Sequence, residues 1–160
     1  MSSKTLVAYF SATGTTARAA RRLAEAVGAD IYEIRPAVPY TRADLNWADS
    51  KSRSTLEAHD AACRPAIAGE PVDLSGYATV FVGFPIWWYT APRIIQSFLE
   101  SHDFAGKRVV PFATSGGSGL GRAAEALRVS CPGAEVLPGR LLNGGSSDGE
   151  LKKWAESAIG

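Results

Sequence analysis

The chain has 160 residues, 46% of them hydrophobic, and its 17 basic and 16 acidic side chains leave a formal charge of +1. That length suits one domain, 1–160, with a sizeable core, and the balanced charge without a lysine–arginine block argues against a nucleic-acid protein. No apolar run is long enough to cross a membrane, and Met1-Ser2-Ser3-Lys4 runs straight into the first strand with no signal peptide. Cys63 and Cys131 make no disulfide framework and have no metal-ligand spacing with His59 or His102. A soluble, cytoplasmic protein without a metal or a membrane partner is expected.

In chain order, Leu6 to Phe10 reads as a buried strand. Ala20, Leu23, Ala24 and Val27 then recur at helical spacing, and Gly28 supplies a stop. Ile31 to Ile34 is a short second strand. About forty residues follow before the third, far more than a helical crossover needs. Within them, Ser50 to Ala61 has helical character, flanked by irregular chain at Pro36, Pro39, Pro65 and Pro71. The third strand is Thr79 to Phe84. Ile94, Ile95, Phe98 and Leu99 form the next helical stripe, and Arg108 to Ala113 the fourth strand. Leu120, Ala123, Ala124 and Leu127 mark a helix that ends at Cys131-Pro132-Gly133. A fifth strand begins at Glu135, breaks at Pro138-Gly139 and resumes at Arg140-Leu141-Leu142. Leu151, Trp154, Ala155 and Ile159 form the last amphipathic helix. Continuous apolar strands separated by helices predict an α/β, doubly wound, five-stranded parallel sheet covered on both faces. In such folds a ligand lies beyond the carboxyl ends of the strands, so the loops after strands one, three and four are the candidates.

The first loop reads Ser11-Ala12-Thr13-Gly14-Thr15-Thr16. A strand that runs through hydroxyls and a glycine into a helix suits a phosphate, because the N–H groups at a helix start are unpaired and carry the positive end of the dipole. Ser11, Thr13, Thr15 and Thr16 add hydroxyl donors, and Gly14 permits close backbone approach. No lysine lies in the loop, so the phosphate is a monoester that is held and not cleaved. The same residues also fit an ordinary helix cap.

The loop after strand three reads Pro85-Ile86-Trp87-Trp88-Tyr89-Thr90. Adjacent tryptophans at a ligand end divide naturally, one capping the core and one stacking on a planar ring. The loop after strand four reads Ser115-Gly116-Gly117-Ser118-Gly119. Its abundant N–H groups can lie flat against a ligand edge and donate to carbonyl oxygens, although a simple flexible turn has the same composition. A dinucleotide fingerprint fails at Arg122, and a hydrolase elbow around Ser118 fails at Leu120.

Ser-x-Thr-Gly-x-Thr between a strand and a helix resembles the FMN-phosphate loop of the flavodoxin family. Phe84-Pro85-Ile86-Trp87-Trp88 and Thr114-Ser115-Gly116-Gly117-Ser118-Gly119 resemble the two flavin-contacting loops of a flavodoxin-like subgroup, which Arg64-Pro65 and Tyr77 also fit. The resemblance implies strand order 2-1-3-4-5 and non-covalent FMN. By it, Ser11, Thr13, Gly14, Thr15 and Thr16 would bind the phosphate, while Pro85, Ile86, Trp87, Trp88, Tyr89, Ser115, Gly116, Gly117, Ser118 and Gly119 would flank the isoalloxazine. The chain departs from the family's electron carriers in its near-neutral charge, in a strand-four loop without the usual stacking tyrosine, and in Trp88-Tyr89 where a glycine often sits beside the flavin N5.

Three functions remain open. One is an FMN redox protein passing electrons to a partner protein. The second is an FMN-dependent reductase of quinones or nitroaromatics fed by a nicotinamide nucleotide. The third is a phosphate-ligand binding module without redox activity. No side chain is identifiable as a catalytic acid or base. Replacing Trp88 by Ala is expected to weaken FMN binding by about 0.5–1.5 kcal/mol or to restore fluorescence to the bound flavin. A fluorescence titration checks this: a change in Trp87→Ala alone would move the stacking role to Trp87, and no change in either variant would abolish it.

Overall fold

The computed structural model describes residues 4–87, 90–114, 123–142 and 147–159. Its elements alternate as β1 (Lys4–Tyr9), α1 (Thr15–Val27), β2 (Asp30–Glu33), α2 (Arg53–Ala58), β3 (Tyr77–Pro85), α3 (Arg93–Glu100), β4 (Arg108–Thr114), α4 (Ala123–Ser130), β5 (Glu135–Val136), β6 (Arg140–Leu141) and α5 (Asp148–Ile159). The sheet order is β2-β1-β3-β4-β5, with β6 also on β4 and every pairing parallel. This is the doubly wound order 2-1-3-4-5, with the fifth strand split in two. Leu120 lies outside the described residues, so the helix after β4 is described only from Ala123. No helix among the described residues is long and apolar enough to cross a membrane.

The period-2 alternation of the central strands divides their side chains between two cores. Leu6, Ala8, Phe10, Val80, Val82 and Phe84 face α3, α4 and the segment after β2. Val7, Tyr9, Phe81, Val110 and Phe112 face α1 and α5. Buried on both faces, these strands need no polar positions, which is why they read as unbroken apolar runs.

The break in the fifth strand has a cause in β4. Val109 and Ala113 accept from Leu137 and Leu142, so the odd-numbered residues of β4 turn their backbone groups to that edge. Pro111 therefore faces the edge with no N–H to give. The register moves by one residue there, from Val109↔Val136 to Phe112↔Arg140.

The long connection, residues 34–76, is anchored by an antiparallel bridge from Pro36 to Ile67. Its helix is shorter than the expected 50–61. Ser52 caps α2 by accepting from the Thr55 N–H, and Arg93 of α3 donates to the carbonyls of Glu57 and Ala58, which ends it. Arg64 pairs with Glu100 through two hydrogen bonds of 2.8 and 3.1 Å, and Tyr77 donates to Asp30 at 2.7 Å. Arg64 and Tyr77 are thus joints of the fold, remote from the strands' carboxyl ends.

Gly83 sits opposite Phe112, and a Cβ on it would lie 2.1 Å from the Phe112 ring. Gly83→Ala is expected to destabilise the protein by about 1–3 kcal/mol through overpacking. A denaturant titration measures it, and Phe112→Leu in the Gly83→Ala background should recover part of the loss.

Candidate functional site

Strand order reverses at β1, which has β2 on one edge and β3 on the other. The ladder continues past the strand ends: Phe10 N–H donates to Gly83 at 2.9 Å and Ile86 N–H to Thr114 at 2.9 Å. The ends of β1, β3 and β4 are thereby held level, and their three loops leave from one rim.

The first loop closes on itself. Ser11 Oγ accepts from the Gly14 N–H at 3.0 Å, and Gly14 has a left-handed φ of 96°, which a side chain would resist. The helix that follows has 13 residues, no side-chain cap and no acidic residue in its first turn. Among the described residues no side chain caps its positive end, and the N–H groups of Thr15, Thr16 and Ala17 lack acceptors within the helix. Thr13 and Thr15 are exposed. Thr16 points inward: it is 2% exposed, and its Oγ1 lies 2.7 Å from Oγ1 of Thr114 at the end of β4. What Thr16 offers a ligand is its backbone N–H.

Sequence reasoning missed Arg18. Its side chain runs back along the helix toward the loop, as helical side chains do. Its Nη1 is 3.9 Å from where a Cβ on Gly14 would be. The loop has no lysine, but it has this guanidinium, and the i, i+4 spacing from Gly14 was the available signal. The donor set of hydroxyls, free N–H groups and one guanidinium fits a phosphate monoester.

In the second loop, Pro85 and Ile86 are half-buried, and Ile86 packs on the first core. Trp87 and Thr90 exchange backbone hydrogen bonds of 2.9 and 3.1 Å. Trp87 takes the core-capping role. Its ring stands edge-on to Phe10 at 5.6 Å and to Tyr40 at 5.3 Å. Trp88, Tyr89, Ser115, Gly116, Gly117, Ser118 and Gly119 lie outside the described residues.

Tyr40 was not singled out from the sequence, because nothing local marks it. It donates to Glu57 and carries Arg53 over its ring at 3.8 Å. Burial, then the hydrogen bond to Glu57, raises its pKa above the ordinary tyrosine value, so it stays protonated as a donor. Tyr40 lines a cleft of about 410 Å3 together with Phe10, Ser11, Ala12, Glu33 and Arg35. A second cavity of about 440 Å3 lies between Arg64–Pro71 and the last turn of α3.

The model of the flavodoxin family matches residues 4–158, nearly the whole chain. The chain belongs to the flavodoxin family. It is similar to the crystal structure of a candidate flavoprotein from Bacteroides eggerthii, with 51% identity over 99% of both chains and a TM-score of 0.93. A candidate flavoprotein from Bacteroides uniformis is 54% identical over 98% of this chain and 99% of its own, with a TM-score of 0.91. A flavoprotein from Lactobacillus acidophilus in complex with FMN shares the flavodoxin fold at 20% identity and a TM-score of 0.69, covering 96% of this chain and 99% of its own. The chain matches no curated protein.

The buried hydroxyl pair joins the first turn of α1 to the rim of β4. Thr16→Val leaves the Thr114 hydroxyl without that partner and is expected to cost about 1–3 kcal/mol. Calorimetry should show Tm lower by several degrees at the roughly 2–4 °C per kcal/mol usual for this size.

Proposed function

We propose that this flavodoxin-family protein holds FMN non-covalently and passes electrons through it. The reading is carried by one observation: a helix start that no described side chain caps, with exposed hydroxyls and a guanidinium, opens onto the reversal point of the sheet. In this reading Ser11, Thr13 and Thr15 donate hydroxyls to the FMN phosphate, Thr15 and Thr16 donate backbone N–H groups, Gly14 permits the close approach of the chain, and Arg18 adds charge. Pro85, Ile86, Trp87, Trp88 and Tyr89 border one side of the ring system, and Ser115 to Gly119 the other. The flavin, when bound, supplies the redox chemistry. The chain's own residues bind it, orient it and cover its apolar ring.

A second reading, an FMN-dependent reductase of quinones or nitroaromatics, draws support from the net charge of +1. The family's electron shuttles are typically strongly acidic, and acidic surfaces steer them to protein partners. Anaerobic reduction of the loaded protein separates the two. Rapid bleaching of the flavin by a nicotinamide nucleotide alone favours the reductase. Bleaching only when a reductase protein is added favours the carrier of electrons between proteins.

FMN is expected to bind orders of magnitude more tightly than riboflavin, since each charge-assisted hydrogen bond contributes about 1.5–3 kcal/mol. Equal dissociation constants in a fluorescence titration would sink the phosphate assignment. Arg18→Gln should weaken FMN by about 1 kcal/mol, roughly five-fold, and leave riboflavin unchanged, because its exposed charge acts on the phosphate alone.

A further inference from the structure

We propose that Tyr40 is a positioning residue for Trp87, held by Arg53 and Glu57 so that it presses the Trp87 ring into the orientation the flavin site requires. This rests on the FMN reading above. Tyr40 comes from the connection after β2, a part of the chain that the motif reading leaves without a role.

Two groups fix it. Its hydroxyl donates to Glu57 Oε1, and Arg53 Cζ sits 3.8 Å above its ring centre. Arg53 Nε donates to the other oxygen of Glu57 at 2.9 Å, and its Nη1 to the Val38 carbonyl at 2.7 Å. Tyrosine, carboxylate and guanidinium therefore close a ring of contacts from α2 back to the chain beside Tyr40. The phenol cannot swing outward without leaving both Glu57 and Arg53.

The other side of the ring meets the site. Tyr40 lies 5.6 Å from Phe10 at 60° and 5.3 Å from Trp87 at 78°. Phe10 immediately precedes Ser11, and the Trp87 backbone is held by Thr90 through two hydrogen bonds. One ring thus bears on Phe10, which leads into the phosphate loop, and on Trp87. A tyrosine serving only to cover the core would not need two polar partners from α2. The lock is explained if the angle of Trp87 itself matters for how the bound flavin sits. Arg93 ties α2 to the first turn of α3, so the support is itself anchored.

The test titrates apoprotein with FMN and records the visible circular dichroism of the bound flavin, with a thermal melt of each apoprotein alongside. Tyr40→Ala is expected to weaken FMN by about ten-fold and to change the flavin dichroism. Tyr40→Phe keeps the ring and should restore affinity to within about three-fold of the wild type. The double variant Arg53→Met, Glu57→Met roughly keeps the side-chain volume, removes both the guanidinium and the acceptor of the Tyr40 hydroxyl, and should change the dichroism in the same direction as Tyr40→Ala. A folded Tyr40→Ala with wild-type affinity and dichroism overturns the proposal. If Tyr40→Ala does not fold, wild-type dichroism in the lock-release variant overturns it. Failure of the wild type to bind FMN at all overturns the FMN reading and this proposal together, whereas binding that no variant alters removes this proposal alone.

Discussion

The pairing of β1 on both its edges decides where a ligand can go. Asp30–Glu33 returns to one side of β1, and Tyr77–Pro85 arrives on the other. A right-handed crossover to each side puts α1 and the long connection on opposite faces of the sheet. The loops after β1 and β3 must therefore diverge at the carboxyl end, and a crevice opens between them. The Ser11–Thr16 loop stands at that crevice because β1 ends there. Its hydroxyls would be ordinary caps anywhere else on the surface.

Two kinds of contact keep the rim rigid. The first is the continuation of the ladder past the strands, through Phe10 to Gly83 and Ile86 to Thr114. The second is the hydroxyl pair of Thr16 and Thr114, buried where water cannot compete for it. Together they tie the start of α1 to the end of β4. Below them, the close approach of Phe112 to Gly83 fills the second core tightly enough that no Cβ fits between.

The connection between β2 and β3 is more than a tether. Ser52 and Arg93 hold its helix at both ends, and Arg64 clasps the far end of α3. Its exposed ion pairs contribute little to stability by themselves. What matters is geometry: Arg93 joins α2 to α3 through the carbonyls of Glu57 and Ala58, and Arg53 and Glu57 hold Tyr40 beside Trp87. Electrostatics here orients side chains that already pack through apolar surface.

What could be read from the chain alone depended on periodicity and on local chemistry. Strands buried on both faces leave continuous apolar runs, so β1, β3 and β4 were legible within two residues at each end. Gly14 and its hydroxyl neighbours mark a strand-to-helix loop, because left-handed backbone and helix caps are local requirements. The split of the fifth strand showed at Pro138-Gly139, although its cause lies across the ladder at Pro111. The tertiary structure alone decided the rest. Thr16 turns from the loop to Thr114, 98 positions away in sequence, because it is the buried face of α1 that meets β4. Of the two adjacent tryptophans, Trp87 joins Phe10 and Tyr40, an assignment that identical neighbours in sequence cannot make. Arg18 and Tyr40 reach the site by helix direction and by a long return of the chain. A linear pattern records which residues alternate or cap, but it carries no trace of contacts made by segments that meet only when the sheet is wound.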